Sequence, residues 1–238
     1  GTETVNGVTV RRFPVAHERD PEAFGRKSAF VFGERHSVAD EIDWLESEGP
    51  ASPALIEHVA TQADTVDFFF FFSYRYYHAW HGIRRVASKA ILVPTAERDA
   101  ALGLSTFGPI FRSVRGLMYN TPEERRLIQQ VSGNTEVPGV VVGIGSDLPR
   151  ETAPERFRRK YQIRDPFVIY VGRIDANKGC AELFDYFRNY RPRLGQQLAL
   201  VLVGTSVLPI PTHPHIRHLG FVPDHDKFDA MAAAEALI

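Results

Sequence analysis

Short apolar runs alternate with stretches of helical periodicity along most of the chain. Strands are predicted over residues 8–15, 64–72, 90–94, 113–119, 137–144, 167–172, 198–204 and 216–221. Helices are predicted over residues 34–48, 53–63, 76–86, 181–190 and 224–234, with one more starting at residue 122. Such alternation is typical of an α/β protein with parallel sheets, and this is the fold class that we predict.

Two segments carry more detailed predictions. The run Phe68–Phe72 is apolar at every position, which predicts a central strand buried on both faces rather than an aromatic binding platform. Thr121 is placed to cap the helix that starts at Pro122. Glu124, three residues after Thr121, would complete a capping box there.

A change in composition after residue 145 predicts a domain boundary. The segment Gly145–Pro149 is followed by a polar stretch rich in Arg and Glu that extends to Pro166. We therefore predict two Rossmann-like units, residues 1–145 and 146–238, facing each other across a cleft. The chain does not begin with Met and it ends in an apolar run, so we expect both units to be incomplete and the chain to be a fragment.

Composition limits the location and the partners of this 238-residue chain. A formal net charge of −1 gives no overall attraction to nucleic acid. Cys180 is the one cysteine, so an internal disulfide is excluded and a reducing, cytoplasmic location is expected. The purest apolar run, Phe68–Phe72, has five residues, far fewer than the roughly 20 that span a bilayer. Peripheral contact with a membrane stays open.

The segment from Gly172 to Gly179 is the strongest candidate for chemistry. A buried strand ends at Gly172, and a loop with two cations, Arg173 and Lys178, leads into a helix. Ligands of open α/β sheets bind at the carboxyl ends of strands, where the free N–H groups of a helix start favour phosphate. The two glycines let the backbone approach a bulky anion. The segment therefore predicts a phosphate site.

Other interpretations of this segment were weighed against the phosphate site. Arg173 and Lys178 could simply pair with Asp175 and Glu182 around a tight turn. A P-loop is excluded, because the Gly-x-x-x-x-Gly-Lys-Ser/Thr spacing is absent. A Rossmann-type NAD enzyme is disfavoured, because no predicted strand is followed by Gly-x-Gly-x-x-Gly.

The run Val171–Asp175, followed by Lys178-Gly179, resembles the donor-site motif of the retaining, GT-B-fold glycosyltransferases of family GT4 (glycosyl transferase group 1). In that family the Arg and Lys of the motif hold the diphosphate of a nucleotide sugar, and catalysis needs no metal. Further resemblances to that family lie at residues 8–15, 92–95, 120–124 and 219–223.

The resemblance implies a bacterial-type retaining glycosyltransferase that uses a nucleoside-diphosphate sugar, without a cofactor or metal, and binds no nucleic acid. The acceptor would be a glycan, a lipid or a small molecule. Arg173 and Lys178 would be catalytic. The donor would be bound by Gly172, Arg173, Lys178, Gly179, Gly204, Phe221 and Val222, with the base against the last two. The acceptor would lie near Ser73, His78 and Thr95. The alternative is a non-catalytic nucleotide- or sugar-phosphate-binding module of the same fold.

Several other signals are assigned structural roles. Asp224-His225-Asp226 follows Pro223 at a helix start, which favours helix capping over a metal site. His213, His215 and His218 are interpreted as an incidental surface cluster, since zinc needs four ligands. His78 and His81 are expected to be half-buried or to cap, with an acceptor-side role left open. One solvated helix face is predicted for Arg156, Arg158, Arg159, Lys160 and Arg164.

Overall fold

The computed structural model describes residues 1–190 and 197–238. The chain divides into two compact units, Gly1–Gly145 (unit 1) and Ser146–Ile238 (unit 2). Each unit contains a four-stranded sheet whose described strand pairs are all parallel. The predicted fold class, α/β with parallel sheets, is confirmed.

Unit 1 combines a hairpin, a parallel sheet, six α-helices and two short 3-10 helices, Ala87–Lys89 and Ala101–Gly103. The antiparallel hairpin is formed by β1 (Thr2–Val5) and β2 (Val8–Arg11). The parallel sheet has the order β3 (Phe69–Phe72), β4 (Ala90–Val93), β5 (Gly116–Tyr119) and β6 (Gly139–Val141). The helices are α1 (Pro21–Gly33), α2 (Val38–Glu48), α3 (Pro53–Thr61), α4 (Tyr77–Val86), α5 (Gly108–Ser113) and α6 (Pro122–Ser132).

Two predictions for the start of unit 1 are corrected by the structure, and two helices of the unit were missed. The strand predicted over 8–15 ends at Arg11, because its partner β1 begins at Thr2, which pairs with Arg11. The helix predicted from residue 34 begins only at Val38, because Ser37 and Asp40 form a capping box that fixes the first turn. The helices α1 and α5 were not predicted at all.

Among the residues that the structure describes, helices cover one face of the unit 1 sheet. Phe71 is 6% exposed and packs with Leu92 and Leu117 in the main core. Phe70 and Phe72, which point to the other face, are 57% and 61% exposed. The prediction that Phe68–Phe72 is a central strand buried on both faces is therefore wrong: β3 lies at an edge of the sheet and alternates between a buried and an exposed face.

Unit 2 has helices on both faces of its sheet. Its helices are α7 (Pro154–Tyr161), α8 (Cys180–Asn189) and α9 (Asp224–Ala233). Its strands, in sheet order, are β10 (Ala236–Leu237), β7 (Phe167–Val171), β8 (Ala199–Val203) and β9 (Ile216–Gly220). One core packs α7 and α9 against Ile169 and Val201, and a second packs α8 against Leu200 and Leu202.

Charged side chains join α7 to α9, which corrects the single solvated face predicted for the basic run. Arg156 Nε lies 2.6 Å from Asp229 Oδ2, and Lys160 Nζ lies 2.5 Å from Asp226 Oδ2. Both carboxylates are 1% exposed. These two basic side chains therefore serve packing between helices, because the α9 carboxylates face α7 rather than solvent.

The capping role predicted for Asp224-His225-Asp226 is also wrong. The residue that precedes α9 is Pro223, and no side chain caps the helix. Asp224 is already inside the helix and pairs with Lys227 at 2.7 Å. Within the described residues, no helix is both long and apolar enough to cross a bilayer.

Candidate functional site

Three neighbouring strands of unit 2 end in glycine at the carboxyl edge of the sheet. Gly172 follows β7, Gly204 follows β8, and Gly220 is the last residue of β9. The N–H of Gly172 donates to the carbonyl of Val203 at 2.9 Å, and that of Gly204 donates to the carbonyl of Gly220 at 2.8 Å. The edge thus presents backbone rather than side chains at three adjacent positions, which suits close approach of a ligand.

Gly204 is required by the packing of this edge. Its φ of +131° lies in a region that other residues rarely adopt. A Cβ at this position would lie 2.0 Å from the carbonyl oxygen of Gly172 and 2.8 Å from its carbonyl carbon. The ends of β7 and β8 can therefore meet only because residue 204 has no side chain.

The loop after Gly172 carries the two predicted cations on its surface. Arg173 Nη2 lies 2.8 Å from Asp175 Oδ2, and the Arg173 side chain is 59% exposed. Asp175 Oδ1 accepts the N–H of Asn177 at 2.9 Å, which caps a single 3-10 turn that ends at Lys178. Lys178 is exposed. The pairing of Arg173 with Asp175, part of the turn-stabilising alternative, is present and holds the guanidinium at the strand end.

Backbone bonds anchor the same loop to the sheet. Ile174, fully buried, donates its N–H to the carbonyl of Thr205 at 2.8 Å. Gly179 has a φ of +71° and passes the chain from the 3-10 turn into α8, whose first turn has no side-chain cap. The free N–H groups of that first turn carry partial positive charge beside the two cations.

Tyr170 is a positioning residue that the sequence did not reveal. Its hydroxyl donates to the carbonyl oxygen of Arg173 at 2.9 Å. Burial raises the pKa of Tyr170 to about 12, and the neighbouring Cys180 thiol adds to the shift. The phenol therefore keeps its proton at neutral pH and can donate throughout the physiological range. Its only signal in the sequence is a polar aromatic one residue before the strand ends.

The predicted base-binding residues differ in what they can offer. Phe221 is 81% exposed, so its ring is available for stacking. Val222 is 4% exposed and belongs to the core, which leaves its backbone as the part a ligand could reach.

His213, His215 and His218 do not form one cluster, and His218 lies on β9 rather than in the loop. The His213 ring lies 5.7 Å from that of His215 and packs against Phe187. His218 is separate, since its Nε2 donates to the carbonyl of Gly204 at 2.7 Å. Across the described parts of the chain, 1–190 and 197–238, no three His, Cys, Asp or Glu side chains form a group that could hold a metal ion.

The residues predicted to lie near the acceptor are at the carboxyl edge of the other sheet, in unit 1. Ser73 and Thr95 follow the adjacent strands β3 and β4, and both have positive φ, +66° and +49°. His78 lies beside them, since its Nε2 donates to the carbonyl of Phe72 at 3.1 Å. A β-branched residue with positive φ is a strained conformation, and such strain concentrates at functional sites.

The Glu124 carboxylate stabilises the turn that contains Thr95 by accepting two backbone N–H groups. Its Oε1 accepts the N–H of Ala96, the residue after Thr95, at 2.7 Å. Its Oε2 accepts the N–H of Asn120 at 2.6 Å. The predicted capping box is therefore only half present: Thr121 caps Glu124 N–H at 3.0 Å, but the Glu124 carboxylate joins the ends of β4 and β5 instead of closing the box.

An ion network built on the buried carboxylate of Glu48 lies next to the same edge. Arg75 binds both oxygens of Glu48, through Nη2 at 2.6 Å and Nε at 3.2 Å, and reaches Asp99 through Nη1 at 3.1 Å. The Tyr74 hydroxyl donates to Asp99 at 3.1 Å, and burial raises the pKa of that phenol well above its usual range. Because its members come from distant parts of the sequence, no local motif predicted this network.

No known protein-family profile matches the chain, and neither does any curated protein sequence. Solved structures do match. HepE (Alr3699) of Anabaena, in complex with UDP-glucose, is 18% identical over 78% of this chain and 56% of that one, with a TM-score of 0.59. Sucrose-phosphate synthase of Thermosynechococcus elongatus is 16% identical over 86% of this chain and 56% of that one, with a TM-score of 0.61.

A third similar structure is α,α-trehalose 6-phosphate synthase of Burkholderia multivorans. It is 14% identical over 98% of this chain and 64% of that one, with a TM-score of 0.52. The fold is shared. The α/β architecture with parallel sheets matches that of these GT-B glycosyltransferases, as predicted. The chain spans a little over half the length of the structures that it matches.

Proposed function

We propose that this chain is the part of a glycosyltransferase that binds a nucleoside-diphosphate sugar and transfers its sugar to a glycan, lipid or small-molecule acceptor. The observation that carries the proposal is the carboxyl edge of unit 2, where the strand-end glycines adjoin the loop of Arg173 and Lys178. The fold likeness supports it, because HepE was solved with UDP-glucose, with UDP, and with UDP and glucose.

In the proposed complex, the donor diphosphate lies against Arg173, Lys178 and the first turn of α8. An exposed ion pair such as Arg173–Asp175 contributes only about 0–1 kcal/mol, so a diphosphate can take over the guanidinium at small cost. Arginine presents a fork of donors that matches two phosphate oxygens. Gly172, Gly179 and Gly204 would let the backbone approach the donor.

The proposed catalysis is stabilisation of the leaving group. Negative charge grows on the diphosphate as the bond to the sugar breaks, so fixed cations stabilise the transition state more than the ground state. Each charged hydrogen bond contributes roughly 1.5–3 kcal/mol, and removal of both cations should slow transfer by about two to four orders of magnitude. With two cations at the leaving group, we propose that no metal or cofactor is needed.

The remaining features of the proposal rest on the resemblance of the Val171–Gly179 segment to family GT4. They are membership of that bacterial-type family, transfer with retention of configuration, base stacking on Phe221 with backbone contacts at Val222, and an acceptor near Ser73, His78 and Thr95. A cytoplasmic location is proposed from the single cysteine, and nucleic acid is not proposed as a partner. Peripheral contact with a membrane that carries a lipid acceptor is compatible with this function.

The second candidate function is binding without transfer. It rests on the same edge of unit 2, because the strand-end glycines, Arg173 and Lys178 would hold a nucleotide or a sugar phosphate whether or not transfer follows. Both candidates require nucleotide binding at unit 2, and they differ in whether UDP-glucose, GDP-mannose or ADP-glucose is consumed.

The test is calorimetric titration of the chain with UDP, GDP and ADP, comparing wild type with Arg173→Ala. We expect binding of one nucleotide to weaken by roughly 10- to 150-fold, the equivalent of one charged hydrogen bond. Arg188→Ala is the matched control, because Arg188 is equally exposed at 59% and pairs with Asp185 on α8. Equal affinity of Arg173→Ala and wild type for all three nucleotides would show that the phosphate role of Arg173 is wrong.

A further inference from the structure

The basic side chains of α7 divide into two groups. Arg156 and Lys160 are neutralised by the buried carboxylates of Asp229 and Asp226. Arg158 and its neighbour Arg159 have no such partner. In the part of the chain that the structure describes, neither of them forms an ion pair, and the same holds for Arg164 and Arg217.

Three of these unneutralised arginines line one cavity. It has a volume of about 690 Å³ and is lined by Glu155, Arg158, Arg159, Gln162, Ile163 and Arg164. Arg217 lies at its border, since its Nη1 donates to the carbonyl of Gln162 at 2.9 Å. With one carboxylate against three arginines, the lining carries an excess of positive charge.

One of the arginines is held in place before any ligand arrives. Arg158 donates through Nη1 to the carbonyl of Asp165 at 3.1 Å and through Nη2 to the carbonyl of Ala233 at 2.8 Å. Its guanidinium also lies 5.2 Å from the centre of the Phe167 ring. Because these partners are neutral, they orient the cation without cancelling its charge, and its other N–H groups remain available.

Stabilisation of the helix end does not account for the whole group. Cations in the last turn of a helix favour its dipole, which explains Arg158 and Arg159 in the last turn of α7. Arg164 lies beyond the helix, and Arg217 lies on β9. Arg217 still favours the helix end, since it donates to the carbonyl of Gln162, the C-cap residue of α7. Arg164 makes no such bond among the described residues, and repulsion between it and the neighbouring arginines would be relieved by a bound anion.

We propose that this cavity binds a phosphate group, with Arg158, Arg159 and Arg164 as its ligands and Arg217 at its border. Arginine is the side chain best matched to phosphate, because its planar fork bonds two oxygens at once. The group would belong to a soluble phosphate compound or to a phospholipid headgroup. The site is distinct from the carboxyl edge, since its residues precede β7 whereas Gly172 follows it, roughly 16 Å away along the strand.

The test follows the backbone amides of the isotope-labelled chain by NMR during titration with inorganic phosphate at constant ionic strength. We expect saturable shifts for residues 158–164 in wild type and in Arg173→Ala, which separates this site from the proposed donor site. In the double variant Arg159→Gln/Arg164→Gln the apparent affinity at these amides should fall at least tenfold. Neither side chain makes a hydrogen bond or an ion pair with the described residues, 1–190 and 197–238, so the variant should keep the wild-type circular dichroism spectrum.

Vesicles identify the source of the phosphate. The wild-type protein is sedimented with vesicles of phosphatidylcholine mixed equally with phosphatidylglycerol, and with vesicles of phosphatidylcholine alone. Sedimentation with the mixed vesicles only, together with its loss in Arg159→Gln/Arg164→Gln, would assign the site to a phospholipid headgroup. Phosphate binding without sedimentation would assign it to a soluble compound. Arg125→Gln/Arg126→Gln on α6 removes the same charge and should change neither result. Equal responses of wild type and Arg159→Gln/Arg164→Gln to phosphate, or equal losses in both double variants, would overturn the proposal.

Discussion

The carbonyl oxygen of Gly172 occupies the space that a side chain of Gly204 would need, because a Cβ at residue 204 would come within 2.0 Å of it. This contact lies where β7 and β8 end and where the loop of Arg173 begins. The position of the candidate diphosphate site at the carboxyl edge of unit 2 therefore depends on Gly204, a residue without a side chain. Packing of two backbones, rather than a functional group, sets the geometry of this edge.

Replacement of Gly204 by Ala should destabilise unit 2 and weaken nucleotide binding. The new methyl group must displace the backbone of Gly172, and the alanine backbone must adopt a φ near +131°. We therefore expect the free energy of unfolding to fall by about 1–3 kcal/mol. Urea unfolding measures the loss, and titration with the nucleotide bound by wild type measures the effect on binding.

Gly25→Ala is the matched control with the opposite sign. Gly25 lies inside α1, and a Cβ there meets no atom within 4 Å. Alanine should therefore stabilise the helix by roughly 0.5–1 kcal/mol. A Gly204→Ala protein as stable as wild type would mean that the contact between the two strand ends is relaxed at no cost.

Local sequence patterns predict the order of strands and helices here, but not which faces are covered. The run Phe68–Phe72 has no polar residue to mark an exposed face, so its pattern cannot distinguish a central strand from an edge strand. The loop of Arg173 could be predicted because strand, cations and glycines are contiguous. The contact of Glu124 with Ala96 could not, because it joins residues 28 positions apart.

Glu124→Ala should destabilise unit 1 through two unpaired backbone donors. The N–H groups of Ala96 and Asn120 would lose the carboxylate that accepts both, and each loss costs roughly 1–3 kcal/mol when the group stays away from water. We expect a total of about 2–6 kcal/mol by urea unfolding. Glu124→Gln, which keeps one carbonyl oxygen, should lose less.

Glu123→Ala provides the control for this change. Glu123 is the preceding residue on α6, is 71% exposed and pairs with Arg126. An exposed pair contributes about 0–1 kcal/mol, so its removal should be nearly neutral. If both alanine variants unfold at the same urea concentration, Glu124 does not support the turn after β4.

Acid should weaken the contact of α7 with α9. The N–H of Ala153 and then the guanidinium of Arg156 lower the pKa of Asp229 below its ordinary value. A carboxyl whose pKa is lower in the folded state stabilises the fold above its unfolded pKa, about 3.9. This contribution is lost as the pH falls through the folded value, so unit 2 should lose stability below about pH 4.

The measurement compares urea midpoints of wild type and Asp229→Asn at neutral pH and below about pH 4. We expect the variant to be less stable at neutral pH and the difference to shrink in acid, where the wild-type carboxyl becomes protonated. Asp185→Asn is the control, since Asp185 is 75% exposed on α8 and pairs only loosely with Arg188, at 3.7 Å. A constant difference between wild type and Asp229→Asn across this range would contradict the assignment.

The uncovered face of the unit 1 sheet should bind a hydrophobic dye. Parallel sheets are almost always covered on both faces, as the sheet of unit 2 is. In unit 1, however, Phe70 is 57% exposed and lines an apolar groove with Ile91 and Met118, and Phe72 is 61% exposed. Phe70→Ser should therefore reduce the fluorescence of bound anilinonaphthalene sulfonate. Because this ring is already mostly in water, the free energy of unfolding should change by less than about 0.5 kcal/mol.

Tyr186→Ser is the control, since Tyr186 is 77% exposed but lies on α8 of unit 2, and it should leave the dye signal unchanged. Undiminished fluorescence in Phe70→Ser, or an equal drop in Tyr186→Ser, would place the dye elsewhere and remove this face as its binding surface.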